Sequence, residues 1–165
     1  MIATAILMTA FISTSFAQAT ATATATATIV TPISIAKNTD MSFGNIAVQT
    51  ATGGTVVLAP AGTRTSTSGV TLPATTGTVT AASFTVNGNG SYTYAITLPT
   101  TAVTLTHSGG VQTMNATSFT SNPSATGALS SGTQNIAVGA TLTVAAAQLA
   151  GVYTSGNFNV TVNYN

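Results

Sequence analysis

Acid–base, nucleophilic and metal chemistry all need several ionisable side chains close together, and this sequence holds very few. Tyrosines aside, they are Lys37, Asp40, Arg64 and His107, for a formal charge of +1 over 165 residues. A two-carboxylate mechanism needs a second carboxylate, and Asp40 is alone. His107, Asp40 and a serine would make a nucleophile–base–orienter set, but no nucleophile-elbow motif presents the serine. His107 lies in a Thr/Ser/Gly turn, where a solvated ring is expected. One His and one Asp, with no cysteine, fall short of an ordinary protein metal cage. The sequence therefore predicts no enzyme, no cofactor and no metal site.

Each of these residues has a plainer role to fill. Asp40 beside Asn38 reads as a turn cap through its side-chain oxygen. Lys37 either blunts a strand edge or pairs with Asp40. Arg64, in a polar connection, is expected to be solvated. Tyr92 and Tyr94 share a period-two face with Ile96, which fits core or rim; sugar stacking is the alternative.

With 2% of residues charged, the chain has no field to attract nucleic acid or anionic lipid. Its solubility rests on Thr, Ser, Asn and Gln. A net charge near zero favours self-association, which suits a protein that assembles. The absence of cysteine removes disulfides as a source of stability.

The elements begin with an apolar segment containing Ile6-Leu7-Met8 and Phe11-Ile12, followed by Ala17-Gln18-Ala19. Residues 1–19 read as a signal peptide cleaved after Ala17 or Ala19, lacking the usual basic flank, and hence as export; a short membrane anchor is the alternative. The run 19–30 then alternates Ala and Thr strictly before ending Ile-Val. Such alternation marks a strand, with Ala21, Ala23, Ala25, Ala27 and Ile29 on one slim face and Thr hydroxyls on the other. A face so slim builds a poor core of its own, but it suits a narrow groove in a neighbouring molecule. Residues 20–31 are therefore read as an N-terminal extension and candidate donor strand.

From 32 to 165 the chain reads as one domain of strands separated by Gly, Asn and Pro. Only 145–149 suggests a helical turn. Residues 61–77 and 122–132 read as connections, and Asn87-Gly88-Asn89-Gly90 as a hairpin turn. Val111 to Phe119 alternates imperfectly. Ile136, Val138, Ala140, Leu142 and Val144 share one face, with Gly139 opposite. Phe158, Val160, Val162 and Tyr164 form the cleanest amphipathic strand, running to the last residue. Short strands, regular turns and missing helices predict an all-β fold, an antiparallel β-sandwich.

Two patterns carry a resemblance. One is Ile33-x-Ile35 followed by Met41-x-Phe43-Gly44-x-Ile46. The other is Gly139-Ala140-Thr141-Leu142-x-Val144, Gly151-x-Tyr153 and Phe158-x-Val160-Thr161-Val162-Asn163-Tyr164-Asn165. Together they resemble a secreted bacterial family of unknown function that is similar to the archaic chaperone–usher, spore-coat-U-like pilins. That resemblance implies an Ig-like sandwich lacking one strand, completed by the N-terminal extension of the next subunit. It implies Ala21 to Ile29 as donor and Phe158 to Tyr164 as the border of the acceptor groove, although the C-terminal strand as donor stays open. The implied partners are further copies of the chain, with a periplasmic chaperone and an outer-membrane usher during assembly. The implied location is a cell-surface filament, with no membrane span in the mature chain. The sequence departs from many such pilins in lacking a disulfide and in using Ala where larger donor residues are usual.

Burying five Ala methyls contributes roughly 4 kcal/mol and Ile29 about 2 more. Around ten added ladder hydrogen bonds, at about 0.5–1.5 kcal/mol each, would carry most of the affinity. The competing reading is a monomeric surface domain binding carbohydrate or ice; an outer-membrane barrel fits the Thr/Asn outer faces poorly.

Overall fold

The computed structural model describes residues 17–165, in which all regular structure is β. In chain order the strands are β1 (Ser34–Thr39), β2 (Ser42–Phe43), β3 (Ala47–Val48), β4 (Gly54–Leu58), β5 (Arg64–Ser66), β6 (Val70–Thr71), β7 (Val79–Thr80), β8 (Ala82–Asn87), β9 (Thr93–Thr97), β10 (Val103–His107), β11 (Thr113–Asn122), β12 (Thr126–Ala128), β13 (Thr133–Val144), β14 (Tyr153–Ser155) and β15 (Thr161–Tyr164). The expected signal peptide lies outside the described residues except for 17–19.

β13 is the axis of the larger sheet. Ile136, Val138, Ala140, Leu142 and Val144 are buried while Thr133, Asn135 and Thr143 are exposed, the period-two burial of a strand with one apolar face. One edge pairs antiparallel with β11, from Asn115↔Thr143 to Asn122↔Ala137. The other edge has two successive partners, β8 along Thr133 to Val138 and β4 along Ala140 to Val144. Gly139 stands where the partner changes, and there a Cβ would collide with the Leu58 carbonyl oxygen. β1 adds to β8, β5 to β4, and β10 followed by β14 to β11.

A smaller sheet in the order β12-β9-β15 covers the β8 half of β13. Its Tyr94, Ile96 and Val162, with Leu129, meet Ala82, Phe84, Val86, Ile136 and Val138 of the larger sheet. The result is an all-β antiparallel sandwich. Over the β4 half the cover is thinner. It consists of the pairs β2–β7 and β3–β6, two residues per strand, packed on Val56, Leu58, Ala116, Leu142 and Val144. Met41 and Phe119 touch both apolar clusters.

Several details differ from the sequence reading. Residues 61–77 hold β5 and β6; β5 is short and wholly polar, and Val70 as the one buried hydrophobic residue gives no alternation to detect. Residues 122–132 hold β12, whose Gly127 lies under the Tyr94 ring, so this strand contributes no side chain at its buried position. The irregular alternation of 111–119 has its cause in a register shift between Thr117 and Thr120, with Ser118 at φ 49°. Met114 and Ala116 face inward before the shift and Phe119 after it. The last strand spans only Thr161–Tyr164, because β9 ends at Thr97 and Pro99 follows. Side-chain alternation continues upstream through Phe158 and Val160 without a ladder. Residues 145–149 form no helix.

Two outcomes follow. Gly139→Val should lower stability by about 1–3 kcal/mol in urea unfolding, since the Leu58–Pro60 backbone must move; a change under about 0.5 kcal/mol would contradict this contact. Tyr94 is wholly buried, and its hydroxyl donates to Gln134 Oε1 at 2.7 Å, an oxygen that also accepts the Ala128 N–H at 2.8 Å. Burial pushes its phenol above the ordinary value of 10.0. A raised folded-state pKa gives stability that is complete below the unfolded value and is lost as pH climbs beyond it. Urea midpoints should therefore hold to about pH 9 and fall above pH 10, and Tyr94→Phe should lose that component of the fall. Identical alkaline profiles in the two proteins would refute it.

Candidate functional site

The thin cover over the β4 half leaves a cleft of about 1350 Å³. Its floor consists of inward-facing residues of the larger sheet, among them Phe84, Val103, Leu105, Met114 and Phe119. One wall is the 39–48 segment with Met41, Phe43, Ile46 and Val48, and the other is the 148–160 segment with Phe158 and Val160. Many of these apolar side chains are only half-buried, and Leu149 and Val152 are exposed by 51% and 67%. Polar side chains, among them Thr39, Ser42, Asn157 and Asn159, line the trough together with these apolar ones.

Each wall is held in place by hydrogen bonds. Arg64, half-buried and not solvated as expected, donates through Nη1 to the Phe43 carbonyl and to the Asn45 carbonyl at 2.8 Å. Its Nη2 reaches the Thr76 carbonyl at 3.3 Å, and the Asn45 N–H donates to the same oxygen at 2.7 Å. One guanidinium thereby gathers three carbonyls at a bend where Gly44 takes φ 68°. On the opposite wall Gln112 Oε1 accepts the Leu149 N–H at 2.6 Å, and the Tyr153 hydroxyl donates to the Leu149 carbonyl at 2.9 Å. His107 packs edge-on to Tyr153 with centroids 4.9 Å apart. Its Nδ1 accepts the Gly109 N–H at 2.9 Å, so Nε2 carries the proton toward the Ala150 carbonyl at 3.2 Å.

The site's charge is sparse. Lys37 and Asp40 lie on the rim and bond each other at 2.7 Å, one of the two alternatives the sequence left open for Lys37. Asp40 and His107 have different partners, and among the described residues no three His, Cys, Asp or Glu cluster. Such a trough suits an uncharged apolar chain better than an ion or polar metabolite.

Of the residues read as the acceptor border, Phe158 and Val160 line the trough. Val162 is buried in the core, beside Ile96 of β9. Tyr164 is half-buried at the far end of β15, where its ring lies 5.6 Å from that of Tyr92. β15 is an edge strand, paired with β9 alone. The residues read as the donor face stand apart. Ala21, Ala23, Ala25, Ala27 and Ile29 are all exposed, Ile29 by 97%. Within the described residues, 17–33 belong to no strand.

Sequence reasoning missed the trough floor on β10 and β11, because four half-buried apolar side chains on two strands look like ordinary core. It missed Arg64 because an isolated Arg in a Thr/Ser stretch carries no periodic signal.

A family model for a domain of unknown function, DUF4402, matches residues 33–164, and the chain belongs to that family. No curated protein and no solved structure matches the chain.

Arg64→Leu should free three carbonyls and lower stability by about 2 kcal/mol. Faster amide exchange at Asn45 is the local sign to look for by NMR, and unchanged exchange there would contradict the clamp.

Proposed function

We propose that this protein is a structural subunit of an extracellular, pilus-like bacterial filament that grows by β-strand addition. The 20–31 extension of one copy enters the trough of the next and pairs with the free edge of β15 and its upstream continuation. The observation that carries this reading is a coincidence in one chain. A strand-patterned arm is exposed at every donor position, and an open trough ends at Val160, where the chain runs on into the edge strand β15.

The chemistry of the two parts agrees. Residues 20–31 carry no charge, so their burial desolvates no ion. A methyl face complements a floor of Phe, Leu and Met side chains, because large groups interlock best with small ones. The arm's amides and carbonyls gain ladder partners, and those supply most of the affinity. Phe158 and Val160 would touch the incoming methyls and Ile29, while Val162 and Tyr164 hold β15 in place. The likeness to archaic chaperone–usher pilins adds support and brings a periplasmic chaperone and an outer-membrane usher as assembly partners. The location that follows is the cell surface after export.

Two variants test this together. Ala23→Asp damages the arm and leaves the trough intact; Val160→Asp does the reverse. Each alone should be monomeric by size-exclusion chromatography and show no fibres by electron microscopy. Mixed, they should form a heterodimer and stop, since one intact arm meets one intact trough. Fibres from either variant would refute strand addition. A wild-type chain that stays monomeric and binds glycan or slows ice growth would favour the surface-binding alternative.

A further inference from the structure

Strand addition between copies faces a competitor, the arm's own trough. Twelve extended residues reach up to about 40 Å, whereas the seven residues from Tyr164 back to Phe158 cover about 20 Å. The arm is therefore long enough to turn back along β15 from its root. A tethered strand would sense its own trough at an effective concentration on the order of millimolar, far above that of a separate subunit. Self-insertion would cap the monomer.

The structure holds the arm off at its root. The Tyr164 hydroxyl donates to the Thr31 carbonyl at 2.8 Å and accepts the Asn89 N–H at 2.7 Å. The Asn87–Gly90 turn is shaped to receive it, since a Cβ at Gly88 would collide with this oxygen. The ring is braced by Tyr92. Pro32 follows at once, fixing φ near −65° and restricting Thr31 to extended conformations. The joint between arm and β1 is thus three residues, Thr31, Pro32 and Ile33, pinned at its first carbonyl.

We propose that Tyr164 is a positioning residue: its hydroxyl latches the arm root and directs the arm away from its own trough toward a second copy of the chain. This rests on the strand-addition reading. It also gives β15 two duties in one subunit, receiving a partner's arm near Val160 and aiming its own at Tyr164.

The chain has no cysteine, so a designed pair reports cleanly. Ala25→Cys with Val160→Cys should oxidise to an intermolecular ladder on a non-reducing gel. Adding Tyr164→Phe, which keeps the ring and removes the hydroxyl, should move at least half of the product to a fast-migrating internally bridged monomer. Pro32→Gly in the same cysteine pair leaves the latch bonded and should shift the product the same way by a smaller amount. It decides the matter if a thermal melt shows the Tyr164→Phe chain unfolded. Ladders of equal yield in all three proteins would overturn the latch and leave strand addition standing. Internally bridged monomer from the unmodified Tyr164 chain, or no disulfide in any of them, would overturn both.

Discussion

A sheet face rich in Val, Leu and Phe has to be covered, and a strand edge has to find hydrogen-bond partners. This chain meets both demands over only half of β13. Along Thr133 to Val138 the smaller sheet lies across the core and Tyr94 is fully enclosed. Along Ala140 to Val144 the cover is made of two-residue ladders, and Phe119, Met114 and Leu105 stay half-buried. The change occurs at Gly139, where β13 switches partners. Under the proposed strand addition, further cover comes from a second copy of the chain.

The low charge follows from the same requirement. Strand addition as proposed would require an arm free of ionised groups and a trough that excludes water. The one close ion pair among the described residues, Lys37 with Asp40, sits on the rim and is largely exposed, so it sets solubility more than stability. Arg64 spends its charge on three backbone carbonyls of one wall. Stiff walls favour strand addition, because a trough already shaped for an extended chain costs less to order on binding.

Much of the architecture was legible in the sequence because period-two alternation is a local signal. The inward faces of β13, β9 and the 158–164 segment stand in it directly, and with them the sandwich class. What was hidden depends on distant partners. β12 offers no buried side chain, because Tyr94 occupies the space above Gly127. β11 changes its inward parity at Ser118, a shift no apolar pattern announces. The shortening of β15 is set by where β9 ends. Of the site, the wall at Phe158 and Val160 could be read in advance. The floor could not, since only packing distinguishes a half-buried Leu105 from a core one.

The most direct measurement uses a chain lacking residues 1–30 and a synthetic peptide of residues 19–30, with amide exchange followed by NMR. The account predicts one-to-one binding, with slowed exchange along 158–164 and little change in the outer strands β5 and β12. No binding, or protection confined to a surface remote from β15, would contradict it.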